Sequence, residues 1–192
     1  MNFLAHSLMG FDEAELIAGQ ICGDFVRGNE LSRFPGRVET GIRLHRYLDR
    51  FTDTHPALQQ ARAGIDSVSY RFSGIVIDVM FDHFLACQWS RYSAHTLAAH
   101  ADIVHAALAD NHAHLPERLQ RFTQVLLSER ILESNVELAS IELTLARLSQ
   151  RSPRFASLAM AEAELEPLRD QLQKPFESFY PDLLDAARSY LG

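Results

Sequence analysis

Apolar positions recur at helical spacing along most of this chain, and one stretch exceeds the usual amphipathic stripe. From Ile75 to Trp89 (IVIDVMFDHFLACQW) large apolar residues fall on every side, without Gly or Pro. That is the pattern of a helix buried all round, and it extends back towards Tyr70. Asp78, Asp82 and His83 sit inside it. At about 100° per residue, Asp78 and Asp82 share a face one turn apart while His83 points aside. Two stacked carboxylates in apolar surroundings cannot both stay ionised without a cation, an arginine or several donors. A metal ion meets that requirement, and so does an Asp–Arg pair or a helix-capping contact.

The same periodicity predicts the other elements. Residues 2–9 suit a short helix with Asn2 and His6 one turn apart. Asp12 with Glu15 three residues later resembles a capping box for a helix over about Glu13–Phe25. Gly19 and Gly23 in that helix would admit another backbone, and Asp24 stands at its unfavourable C-terminal end, inviting a cation. Pro35 opens a helix to about Thr54, ending before His55-Pro56. There His45, Asp49 and Asp53 fall at i, i+4 intervals beside the buried side, and His45–Asp49 reads locally as a hydrogen bond. Arg43, Arg46 and Arg50 share another face. Further helices are expected at Ala57–Gly64, Ser93–His114, after Pro116, at Leu132–Ser149, Pro153–Glu164 and Pro175–Leu191. His95, His100, His105, His112 and His114 share no i, i+4 face and read mostly as surface residues. No strand alternation, internal repeat or linker interrupts the pattern, which predicts one all-α domain over residues 1–192, a compact helical bundle.

Composition narrows the function. A net charge of −7 argues against a general nucleic-acid binder, while 47% hydrophobic and 22% charged residues describe a soluble globule. Only one of the 18 basic residues, Lys174, is a lysine, so the cations favour the guanidinium fork that matches phosphate. Cys22 and Cys87 lie in apolar helical patterns and read as reduced core thiols of a cytoplasmic protein. No signal peptide or membrane span is expected. Motifs for nucleotide phosphates, zincin proteases and base-stacking platforms are missing.

Asn2, His6, Asp24, His45, Asp49, Asp78, Asp82 and His83 are polar residues embedded in apolar pattern, spread over four helices. A helical bundle can bring such residues to one inward-facing site. Mixed imidazole and carboxylate donors suit Mn²⁺, Fe²⁺ or Zn²⁺ better than Ca²⁺, and such an ion lowers the pKa of water.

MNFLAH at the start, GDFVRGN, GIRLHRYLDRFTD, DVMFDHFLACQWS and PFESFYP occur in this order from Met1 to Pro181. Together they resemble the acyl carrier protein phosphodiesterases. The resemblance implies an HD-domain-like helical fold and hydrolysis of 4′-phosphopantetheine from the serine of holo-acyl carrier protein. It also implies a divalent metal, Mn²⁺ preferred, with Mg²⁺, Fe²⁺ or Zn²⁺ as alternatives. The implied metal-site residues are His6, Asp24, His45, Asp82 and His83, with Asp24, Asp82 and His83 in catalysis, and Asp78, one turn before Asp82, is expected to converge on the same site. The His-Asp dipeptide of the wider superfamily is absent, and Asp82-His83 stands in its place. Between Phe25 and Arg50 six arginines face three acids, a net +3 in an acidic chain. Arg27, Arg43, Arg46 and Arg50 are therefore expected to meet the phosphate or the acidic carrier protein. The competing expectations are a phosphohydrolase of a small nucleotide or phosphoester, and a non-catalytic module that binds an acidic protein.

Overall fold

The computed structural model describes residues 2–28, 31–66, 70–160 and 162–192. Among them are ten α-helices and no strand. These are α1 (Phe3–Leu8), α2 (Ala14–Cys22), α3 (Gly36–Thr54), α4 (Pro56–Ala63) and α5 (Tyr70–Cys87). There follow α6 (Leu97–Asp110), α7 (Glu117–Ser128), α8 (Ile131–Ser134), α9 (Leu138–Ser149) and α10 (Glu162–Leu191). Short 3₁₀ turns fill Gly23–Phe25, Trp89–Arg91, His112–His114 and Pro153–Leu158. No helix among the described residues is long and apolar enough to cross a membrane.

The core gathers around α5, whose Val76, Met80 and Leu85 are fully buried. Helices α1, α4, α9 and α10 pack on it, as its all-round apolar pattern requires. Cys87 at its end is exposed while Cys22 is buried. The expectation of two core thiols therefore fails at Cys87, where the helix has run out to the surface.

Helices α2 and α3 cross at a glycine contact. A Cβ on Gly19 would meet the Val38 carbonyl oxygen at 2.3 Å, and one on Gly41 would meet the Leu16 carbonyl oxygen at 2.6 Å. Only paired glycines let the backbones come this close, and the crossing sets α3 against the end of α2. The expected capping box is absent. Asp12 takes a left-handed φ of 62° and its carboxylate meets His95 Nε2 at 3.1 Å, so it does not cap α2.

The C-terminal third departs most from expectation. Residues 153–158 form a 3₁₀ turn, and α10 runs unbroken through Pro167, Pro175 and Pro181. Each proline removes one helix hydrogen bond and crowds the carbonyl four residues back, at a cost of about 3 kcal/mol. The same helix buries Leu165, Leu172, Phe176, Phe179, Tyr180 and Leu183, each contributing about 1.5–3 kcal/mol. Burial on one face offsets the prolines.

Candidate metal centre

His6 and His45 come together where α1 meets α3. Their rings stack with centroids 3.9 Å apart, and both residues are almost wholly buried. Asp49, one turn after His45 on α3, reaches between them. Its Oδ1 lies 3.2 Å from His6 Nε2 and its Oδ2 lies 3.1 Å from His45 Nε2. One donor atom from each of the three residues falls within 4.8 Å of the others. Asp24, in the turn after α2, stands 3.6 Å from His45 Nε2 and is half exposed.

Neighbouring groups fix the rings. Gln20 Oε1 sits 2.9 Å from His6 Nδ1, so Nδ1–H donates to the amide and the Nε2 lone pair faces Asp49. The reverse amide orientation would move that proton to Nε2, so Gln20 as oriented selects the metal-binding tautomer. Lone pair then faces carboxylate across 3.2 Å, an arrangement that calls for a proton or a cation between them. Burial, reinforced by His45, lowers the His6 pKa to about 3, so a metal ion fits better than a proton. Two imidazoles and a carboxylate are the donor set that Mn²⁺, Fe²⁺ or Zn²⁺ accepts. Gly23 makes room for His45: a Cβ there would lie 2.1 Å from the ring's Cγ.

Three further carboxylates join Asp49 in the cleft beside the cluster. Asp24, Asp49, Asp53 and Asp78 line a cleft of about 190 Å³ with Thr52 and Arg62. Burial raises the pKa of Asp24, opposed by His45 and helped by Asp49 and Asp78. Burial also raises Asp78, with Asp49 adding to it and Arg62 opposing. Asp49 behaves differently. Burial pushes its carboxyl up, but the His45 and His6 rings that face it overcome that and hold it well below the usual range.

The structure brings together His6, His45, Asp24 and Asp78 of the six residues expected at the metal site. Asp82 stands one step away. Its two oxygens accept the backbone N–H groups of Leu4 and Ala5 at 2.9 and 3.0 Å, so it caps α1 from α5. Burial raises its pKa to about 7 against the pull of those two bonds. His83 is elsewhere. Its Nδ1 meets the Asn135 carbonyl oxygen at 2.8 Å, and it lines a separate groove with Cys87, Arg91 and Arg169. The angle of about 100° between successive helical residues turns it away from Asp82.

Two residues at the cluster lay outside those six. Asp49 was expected as the i+4 partner of His45 and among the polar residues a bundle could bring together, though not as a metal ligand. Gln20 had one signal, an amide among the fully buried Ile17, Ala18 and Ile21.

Of the expected contact arginines, Arg43 is bound by Glu39 and Arg46 donates to the Val26 carbonyl at 3.0 Å. Arg27 and Arg50 are exposed and have no ion pair among the described residues. Glu30, counted in that segment's charge, lies outside the described residues.

An all-helical fold carrying a His–His–Asp cluster at an acidic cleft defines a candidate metal site. Residues 1–183 match the family described as acyl carrier protein phosphodiesterase. Relatives of that name share 34% identity with this chain. The Pectobacterium atrosepticum protein aligns over 190 residues, 98% of each chain. The Yersinia pestis protein also covers 98% of each, and that of Salmonella agona covers 100% of both. No solved structure gives a significant match. The chain belongs to the acyl carrier protein phosphodiesterase family, which places it among the phosphodiester hydrolases.

Proposed function

We propose that this protein hydrolyses the phosphodiester joining 4′-phosphopantetheine to the serine of holo-acyl carrier protein, using one divalent metal ion. The observation that supports the metal is the His6–His45–Asp49 cluster, in which the His6 lone pair and the Asp49 carboxylate face each other across 3.2 Å. His6 Nε2, His45 Nε2 and Asp49 would hold the ion, with Asp24 at its open edge. A bound ion supplies Lewis-acid chemistry: it lowers the pKa of water and neutralises charge on phosphoryl oxygen. Manganese is the ion the family resemblance favours.

The protein's own groups do the rest. Asp24, half exposed at the edge of the cluster, orients the attacking water and takes its proton as the water oxygen bonds to phosphorus. Water oxygen bonds to phosphorus as the bond from phosphorus to the serine oxygen breaks. That serine oxygen needs a proton, and Asp78 is the carboxyl in the cleft suited to hold one, because burial and Asp49 both favour its neutral form. Gln20 and Gly23 keep the two imidazoles in place. Arg27 and Arg50, exposed and without an ion pair among the described residues, would attract the acidic carrier protein to the cleft mouth. The reaction and its reduced thiols suit the cytoplasm, and residues 1–192 act as one domain.

The test is direct. Purified protein, Mn²⁺ and holo-acyl carrier protein are incubated, and the carrier protein is weighed intact. Loss of the phosphopantetheine mass is expected, abolished by chelation and by Asp49→Ala. An unchanged mass with Mn²⁺, Mg²⁺, Fe²⁺ and Zn²⁺ overturns the reading.

A further inference from the structure

Among the described residues, Arg62 is the one arginine that lines the acidic cleft. It comes from α4, outside the basic segment, and no motif distinguishes it in the sequence. Its Nη2 donates to Asp53 Oδ1 at 2.7 Å, and the side chain is 19% exposed. That bond uses one donor of a five-donor fork. Nε is buried and has no hydrogen-bond partner among the described residues. Buried donors are normally satisfied, and an orphan beside a reactive cleft marks a place where an outside acceptor arrives.

A second observation concerns α5. Gly74 lies in the interior of that helix, where glycine is a poorer helix former than alanine. A Cβ there would lie 3.1 Å from Arg62 Nη2 and 3.4 Å from Cζ. Glycine at this position leaves the guanidinium space to lie against α5. The cleft also needs a cation. It presents Asp24, Asp49, Asp53 and Asp78 to an incoming anion, and a single divalent ion leaves it net negative.

Resting on the phosphodiesterase reading above, we propose that Arg62 is a catalytic residue that binds the non-bridging oxygens of the scissile phosphate, with Asp53 as its positioning residue and Gly74 as the space it needs. The planar fork suits two phosphoryl oxygens at once, which a lysine cannot reproduce. The plain alternative is an ion bridge in which Arg62 only ties α4 to Asp53 on α3 and Asp78 on α5.

The test uses the full chain with Mn²⁺ and holo-acyl carrier protein, and compares wild type with Arg62→Gln, Arg62→Lys and Gly74→Ala. Removing one transition-state donor from such a site lowers kcat by about 10²–10³-fold, and Arg62→Gln is expected in that range. Its Mn²⁺ affinity should stay within about threefold of wild type, and guanidinium ion should restore part of the turnover. Inorganic phosphate, measured by calorimetry on the Mn²⁺-loaded protein, should bind wild type and fail to bind Arg62→Gln. Gly74→Ala should lose turnover without losing thermal stability, since alanine is the better helix former. A bridge without contact to phosphate predicts the reverse: lowered melting temperature, unchanged phosphate binding and near-normal turnover in the folded fraction. That result overturns the proposal. If Arg62→Gln does not fold, Arg62→Lys and Gly74→Ala decide by the same readouts. A wild type that turns over beside active variants refutes the role of Arg62 alone, whereas an inactive wild type refutes the phosphodiesterase reading and this inference with it.

Discussion

Replacing Gly23 by alanine tests whether His45 is held in place for a metal. The added methyl would sit 2.1 Å from Cγ and 2.2 Å from Cδ2 of the imidazole, where ordinary contact begins at 3.4 Å. Either the ring or the turn at residues 23–25 must retreat by more than an ångström. The ring has little freedom, because it stacks on His6 and is 3% exposed. Its displacement moves Nε2 from the 3.1 Å position beside Asp49 Oδ2. Overpacking of this kind costs about 1–3 kcal/mol of stability. Groups that orient a metal ligand are worth about 10–100-fold in metal affinity. Titrating Mn²⁺ into Gly23→Ala, with free ion counted by electron paramagnetic resonance, should show that loss. Thermal unfolding of the metal-free protein gives the stability cost separately. A variant that is destabilised yet binds Mn²⁺ within threefold of wild type would show that His45 does not ligate, and the argument from the stacked rings would fail.

Two further outcomes are expected. His100 donates Nε2–H to Ser7, whose own hydroxyl is committed to the Leu4 carbonyl. Burial, with Asp12 opposing and His95 assisting, lowers its pKa to about 4. The unfolded chain therefore takes up a proton at this histidine first as pH falls. Its contribution is complete above about pH 6.5 and decays towards pH 4, by about 3 kcal/mol. In metal-free protein, His100→Gln should flatten the fall in urea midpoint between pH 7 and pH 4.5, leaving the part due to His6. An unchanged slope refutes the burial argument. Arg27→Glu with Arg50→Glu should lower kcat/KM and remove most of its salt dependence, because rim charges act on encounter within about 8 Å at physiological salt. Equal salt slopes in wild type and variant would place carrier-protein docking elsewhere.

How far the chain could be read beforehand depended on the range of the interaction. The burial of Ile75–Trp89 followed from its own residues, since a helix apolar on every side has only one stable place. The need of Asp78 and Asp82 for compensation was equally local. What supplies it was not: amide groups 78 and 77 residues earlier in the chain serve Asp82, and no periodicity encodes that meeting. His45 and Asp49 are paired by helix geometry, while His6 joins them only because α1 docks beside α3. His83 stood out for the same reason as Asp82, a polar residue in an apolar run, yet their directions differ by about 100° and so do their surroundings. His100 was read as a surface residue because alanines around it carry little directional information, and it is fully buried. In α10 the prolines suggested breaks that the buried aromatic face overrides.

The capping of α1 by Asp82 has a consequence for the growing chain. Six residues are too few to hold a helix in water, and Asn2 at its start makes no side-chain cap. During synthesis, His45 and Asp49 leave the ribosome together on α3, and the segment carrying His6 can already meet α2, but its first amide groups lack their acceptor until α5 follows. Ordering of the third ligand is therefore completed by a carboxylate made 76 positions later. Nascent chains that end before Asp82 should hold no metal tightly, and the ion is acquired only after α5 has been made and has docked. Cellular metal supply therefore meets this protein once its central helix is in place, with α6 to α10 still to be made.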